Sequence, residues 1–179
     1  MTILQKNFYN RNTLDVAKAL LGCKLCRQYN GKILSGIIVE TEAYTQNDPA
    51  CHAYCGKTKR SSTLFKCPGL AYVYFIYGMY FCFNVTTEPE ETAGAVLIRA
   101  LEPINVGKTN GPGKLCRELN ITKNLNEVDL TSSKSNIWIE DYKHFQSKEI
   151  CTSTRIGIKK AVDYPWRFYV KDNAFVSRK

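Results

Sequence analysis

The sequence predicts an α+β fold. It should be a single domain over residues 1–179, with a curved, largely antiparallel β-sheet, flanking helices and a protruding β-hairpin. Three observations lead there. Short β-rich runs recur along most of the chain, whereas helical patterns are few and short. Two aromatic runs flank Tyr77-Gly78, the signature of a hairpin. No repeat, low-complexity tract or long linker divides the 179 residues.

A helix is expected from about Thr13 to Leu21. Asn12 can cap it, Asp15 sits in its first turn and Gly22 ends it. Leu14, Ala17 and Leu21 form its apolar stripe. Residues 33–41 (ILSGIIVET) predict a strand with Glu42, Ala43 and Tyr44 at its end. Residues 45–68 are polar and irregular, a loop long enough in a compact domain to suggest function. Residues 72–85 predict the hairpin, in which Gly78 can supply the positive φ of a tight turn. A strand follows over 95–101, then a short helix opened by Pro112 and carrying Leu115 and Leu119. Trp138-Ile139, Arg155 to Ile158 and Arg167 to Val170 predict further strands.

Composition narrows the function. Hydrophobic residues make up 44%, which suits a globular chain. The first twelve residues lack the apolar region of a secretory signal, and the run from Tyr72 to Phe83 is too short to span a bilayer. A soluble, cytoplasmic protein without a membrane partner is expected. Eight cysteines include Cys23 and Cys26 as a CxxC, and Cys51 and Cys55 around His52, but the spacing of the second pair does not suit zinc. No metal, cofactor or disulfide is therefore expected. The net charge of +9 makes nucleic acid the first polyanion to consider. The contributing residues (Lys57, Lys59, Arg60, Lys114, Arg117, Arg155, Lys159, Lys160 and Arg167) are spread along the chain, as in an ordinary solvated basic surface.

Glu40 and Glu42 are the first chemical candidates. Strand periodicity puts them on one face with Tyr44. Two acids on an exposed strand face are commonplace. An apolar strand before them and a long loop after them favour a cleft, where one acid could activate water against a sugar carbon while its neighbour makes structural bonds. His52 is an ordinary loop residue or, if the loop folds back, a partner for a base. In the hairpin, Phe75, Phe81 and Phe83 suit a sheet core. Tyr77 beside Gly78 does not, and suits a wedge that enters a base stack. Asn84, polar in an apolar strand, needs a hydrogen-bond partner, which a purine edge could supply.

These residues also resemble a known family. The stretches IVETEAY (38–44), His52, PGLAYVYFIYGMYFCFN (68–84), VLIRALEP (96–103), GPGKLC (111–116) and RFYV (167–170) resemble, in order, the alkyladenine (3-methyladenine) DNA glycosylases. The match runs from about Leu14 to Ser177 and looks like the short bacterial form.

The resemblance implies a monofunctional enzyme that flips alkylated or deaminated purines out of duplex DNA. It would hydrolyse the N-glycosidic bond and leave an abasic site, acting as a monomer. It further implies Glu42 as general base, and Tyr44, His52 and Tyr74 as purine-pocket walls. Asn84 would clash with the 2-amino group of guanine. Tyr77 would be the wedge, Met79, Tyr80 and Leu97 groove contacts, and Arg99 a pocket and phosphate residue. Thr58, Gly113 and Lys114 would lie at the DNA.

Two rivals remain. A non-catalytic nucleic-acid module would need the basic surface and Tyr77 but not Glu42. A small-molecule nucleosidase would need the carboxylate but neither the charge nor the wedge.

Overall fold

A computed structural model describes residues 2–178. Nine strands join one sheet among these residues, and every pairing is antiparallel. In chain order they are β1 (Thr2–Ile3), β2 (Lys24–Tyr29), β3 (Lys32–Thr45), β4 (Ala71–Ile76), β5 (Tyr80–Thr86), β6 (Gly94–Pro103), β7 (Ile137–Asp141), β8 (Ile150–Ser153) and β9 (Arg167–Val170). Helices are short: α1 (Lys6–Tyr9), α2 (Thr13–Ala19) and α3 (Pro112–Glu118). The main path of the sheet is β1-β7-β2-β3-β6-β5-β4, while β9 pairs with both β3 and β8. The expected fold class holds. No helix among the described residues is long and apolar enough to cross a membrane.

Strand β3 organises the molecule. Its first half pairs with β2 and its second half with β9, while β6 runs along most of its length. Its residues from Ser35 to Ala43 are buried, so it reads as an almost continuous run and not as a half-exposed alternation. Two register shifts interrupt its pairing with β6. Ile38 faces Leu101 and Glu40 faces Ala100, which leaves Val39 as the extra residue. Thr41 then faces Ile98, which leaves Arg99 as the extra residue opposite. Paired bulges of this kind re-aim side chains, and here they aim an arginine between two acids.

Helix α2 lies against this strand. The Asn12 side chain accepts from the Leu14 N–H at 3.0 Å and caps it as expected. Its buried contacts are Val16 and Ala17, with Leu20 and Leu21 beyond its end, while Leu14 is only partly buried. The expected stripe of Leu14, Ala17 and Leu21 thus packs on the core, widened by Val16 and Leu20. The Thr41 hydroxyl donates to the Ala17 carbonyl at 2.8 Å and ties helix to sheet.

Two further expectations are corrected, and one strand is added. Residues 155–158 are not a strand; the pairing element is β8, just before them. Strand β2, which contains Cys26, is a central strand to which the sequence reading assigned no element. Of the three hairpin phenylalanines expected in the core, Phe83 is fully buried, but Phe75 is half-exposed and pairs with the partly buried Phe81.

The long loop after β3 has its own small core. Cys51, Ala53, Leu64 and Phe65 pack against Tyr72, Ala93 and Ala95. All eight cysteines are free thiols, and no three or more His, Cys, Asp or Glu among the described residues are grouped to hold a metal.

Candidate active site

The hairpin, the loop after β3, the start of α3 and residues 156–160 enclose a cavity of about 760 Å³. Alternation along β4 turns Tyr72, Tyr74 and Ile76 toward it, and the paired strand adds Tyr80, Cys82 and Asn84. Tyr44 and His52 line it from β3 and the loop. His52 meets the Tyr74 ring edge-on, with centroids 4.6 Å apart, and its Nδ1 lies 2.8 Å from the Tyr72 hydroxyl. Burial, helped by the positive charge of Arg60, lowers the His52 pKa to about 4. The imidazole is therefore neutral at physiological pH, and it is not a proton donor of the imidazolium kind. Burial raises Tyr72 to about 12, which keeps its phenol protonated.

Glu42 lies just behind the cavity floor. It is fully buried, and its neighbours Tyr44, Leu97, Arg99 and Ile156 all line the cavity. The Ile156 N–H donates to Glu42 Oε1 at 2.7 Å, and the Tyr44 hydroxyl donates to Oε2 at 2.7 Å. Arg99 Nη1 sits 3.2 Å from Oε1. An ionised carboxylate offers about four lone-pair sites. Three contacts leave one of them open on Oε2. Burial and then the Glu42 carboxylate push the Tyr44 pKa well above the usual tyrosine value, so its hydroxyl stays a donor. Burial alone would lower Arg99, but Glu42 and then Glu40 outweigh it and leave the guanidinium more firmly charged.

Glu40 is also fully buried, which overturns the exposed strand face weighed for the two acids. It accepts from Arg99 Nε at 3.1 Å, Arg167 Nε at 2.7 Å, and the Ser177 N–H and hydroxyl at 2.6 and 2.9 Å. A second buried pair supports the floor from the side. Arg155 and Asp48 form a two-pronged salt bridge with no exposed side-chain surface. The same guanidinium donates to the Ala43 carbonyl at 2.9 Å and lies over the rings of Tyr44 and Trp166. Arg155 thereby holds the segment whose next residue, Ile156, bonds Glu42.

The hairpin tip is the opposite kind of place. Tyr77 is 76% exposed, and both Tyr77 and Gly78 have positive φ, 54° and 68°. Glycine adopts that region freely, whereas tyrosine rarely does. Met79 is exposed beside it. Tyr80 leans on α3, where a Cβ on Gly113 would come within 2.8 Å of its ring. A glycine is required at that close approach.

Sequence reasoning missed or misplaced several of these residues. Asp48 carried no signal on its own, Ile156 only that of an expected strand, and Ser177 marked only the end of the family resemblance. Arg155 and Arg167, counted with the basic surface, are buried ion-pair members. Leu97, expected at a DNA groove, is buried in the cavity wall. Arg99, expected to reach a phosphate, is engaged by two carboxylates. Thr58 is bonded to Ser61 within the loop and Lys57 to Glu91, and neither lines the cavity. The exposed cations that do line its mouth are Lys114, Arg117, Lys159 and Lys160. Asn84 lines the cavity, but its Nδ2 donates to the Tyr72 carbonyl at 3.1 Å, so a backbone group already meets part of its need.

A family model for methylpurine-DNA glycosylase matches residues 7–174. Relatives provisionally named 3-methyladenine DNA glycosylases are similar over nearly the whole chain. One from Carboxydothermus hydrogenoformans is 51% identical and covers 99% of this chain and 100% of its own length. One from Francisella tularensis is 48% identical, covering 93% and 94%. One from Clostridium botulinum is 45% identical, covering 99% and 100%.

Proposed function

This chain belongs to the methylpurine-DNA glycosylase family, and from that premise we infer that it is a monofunctional 3-methyladenine-type DNA N-glycosylase of base excision repair. The observation that carries the assignment of its chemistry is the open lone-pair site on Glu42 Oε2, just behind an aromatic cavity with a cationic mouth.

Damaged duplex DNA is the substrate, and the enzyme acts as a monomer. A phosphate backbone tracks Lys114, Lys159 and Lys160 at the mouth. The target nucleotide leaves the stack, at a cost of a few kcal/mol that is least for a poorly paired base. Tyr77 enters the gap it leaves, with Met79 and Tyr80 against the groove. The flipped purine stacks between Tyr44, His52 and Tyr74. Asn84 stands where the 2-amino group of normal guanine would collide.

The reaction is a hydrolysis. The C1′–N9 bond breaks with its electron pair going to the purine, and positive charge develops on the sugar. Water held at Glu42 Oε2 bonds C1′ and passes a proton to the carboxylate. A cationic 3- or 7-alkylpurine departs as a neutral base without further help. Neutral hypoxanthine or ethenoadenine must gain a proton, and a neutral His52 is a poor source for it. Cationic lesions are therefore the faster substrates.

The deciding experiment offers the enzyme duplexes with one defined lesion, their undamaged counterparts, and free nucleosides. Alkali-labile abasic sites at the lesion, with no strand nicking before alkali, are expected. Binding without abasic sites would favour a non-catalytic nucleic-acid module. Cleavage of free nucleosides alone would favour a nucleosidase.

A further inference from the structure

We propose that Glu40 is a positioning residue for this reaction, which keeps Arg99 from closing over the general base. The proposal rests on the reading of Glu42 as that base. Arg99 is the bulged residue of β6, and it stands between the two acids. Its Nε edge faces Glu40 at 3.1 Å, and only Nη1 reaches Glu42, at 3.2 Å. A guanidinium fork binds a carboxylate best with two parallel N–H groups. If both prongs gripped Glu42, they would take up its oxygens and leave no site for the attacking water. Glu40 prevents this by claiming the Nε edge.

Glu40 is itself tightly held. Arg167 Nε supplies a second cation at 2.7 Å, and Ser177 donates both its N–H and its hydroxyl. Ser177 also lies 3.4 Å from Arg99 Nη2, so the same residue touches both members of the pair. Two acids and two arginines balance in charge across Glu40, Glu42, Arg99 and Arg167. Neutralising Glu40 would leave Glu42 as the sole carboxylate partner of Arg99 within this group.

The test separates chemistry from binding. Glu40→Gln preserves shape and removes the charge. Under single-turnover conditions it should lower excision about 10–100-fold, the scale of a displaced catalytic group. Affinity for a duplex carrying an abasic-site analogue, and the active fraction titrated with it, should stay within about threefold of the native protein. Glu40→Asp, which restores the charge, should recover part of the rate. Ser177→Ala removes one donor from Glu40 at a half-buried position and should lower the rate by a smaller factor at unchanged affinity, which keeps the test alive if the glutamine variant does not fold. Native excision rates in folded Glu40→Gln, or in both Glu40→Asp and Ser177→Ala, overturn the proposal. Parallel losses of binding and rate also overturn it, since they mark a merely structural residue. A Glu42→Gln variant at full rate would instead defeat the general-base reading itself.

Discussion

The floor behind the cavity and the tip of the β4–β5 hairpin are built on opposite principles. At the floor every charge has a counter-charge and almost nothing meets solvent: Glu40, Glu42, Asp48, Arg99, Arg155 and Arg167 are all buried. At the tip Tyr77, Met79 and Tyr80 are exposed, and the backbone is held at positive φ in a residue type that disfavours it. Isolated buried charge is costly and persists only where partners fix it. Exposed aromatics on such a turn contribute little to folding and are free to meet a partner. On the proposed reading bond cleavage belongs to the floor and base extrusion to the tip, and variants should separate the two.

The largest effect is expected from Glu42→Gln. It should keep lesion-duplex binding and flipping while losing about 10²–10⁴-fold in single-turnover excision, the usual contribution of a general base. Loss of binding to the same degree would mean that floor and tip are not separable. Next comes Asp48→Asn, which leaves buried Arg155 without its counter-charge. It should destabilise the fold by about 3–5 kcal/mol, as breaking a buried ion pair does. For a chain of this length that is a fall in Tm of roughly 6–20 °C in a thermal melt. An unchanged melting point would remove the pair from the supports of the floor.

Tyr77→Ala should act on the other side of the comparison. Its stability should be native, because the side chain is 76% exposed. Binding and flipping of lesion duplex, read by a fluorescent base analogue, should weaken by about ten- to a hundredfold, since the ring offsets an unstacking cost of a few kcal/mol. Single-stranded substrate should be affected far less. Native flipping in duplex would reduce Tyr77 to an exposed turn residue. Replacing Lys159 and Lys160 together by alanine should weaken damaged and undamaged DNA alike and lower the salt slope by about two. A lesion-specific loss would move these lysines from the phosphates to the base.

The smallest expected effect concerns acid. The native pKa of His52 is lowered from 6.5 to about 4. Between those values the unfolded chain binds a proton that the folded chain refuses, so this residue makes stability fall as pH drops from about 6.5 to about 4. Above 6.5 its contribution is constant. His52→Gln should therefore lose less stability than the native protein across that window, measured by urea denaturation at each pH. Parallel curves would contradict the burial of this imidazole.

The same two regions explain what could be read from sequence. The hairpin was legible because its determinants are local: aromatic alternation and a glycine at the turn. Glu42 and Tyr44 were legible at the end of a strong strand pattern. Their supports were not. Arg155 finds Asp48 across 107 residues, and Arg167 finds Glu40 across 127. In sequence such arginines are indistinguishable from surface charge. Arg99 owes its direction to two register shifts that no periodicity announces. The apolar Ile156 and Ile158 suggested a strand; they are partly buried and line the cavity wall instead of pairing in a ladder.

The span of those pairings also has a temporal meaning. Glu42 receives its backbone donor from a residue 114 positions further on, and Glu40 from one 137 positions further on. A ribosome adding about 5–20 residues per second needs on the order of ten seconds to cross such a gap. Through that interval the emerging chain can close its β4–β5 hairpin, whose contacts are near neighbours, but it lacks the segments that complete the carboxylate floor. On the proposed reading a nascent chain exposes its hairpin tip well before it can cut a glycosidic bond, and the carboxylate floor is completed only with β9 and Ser177 beyond it.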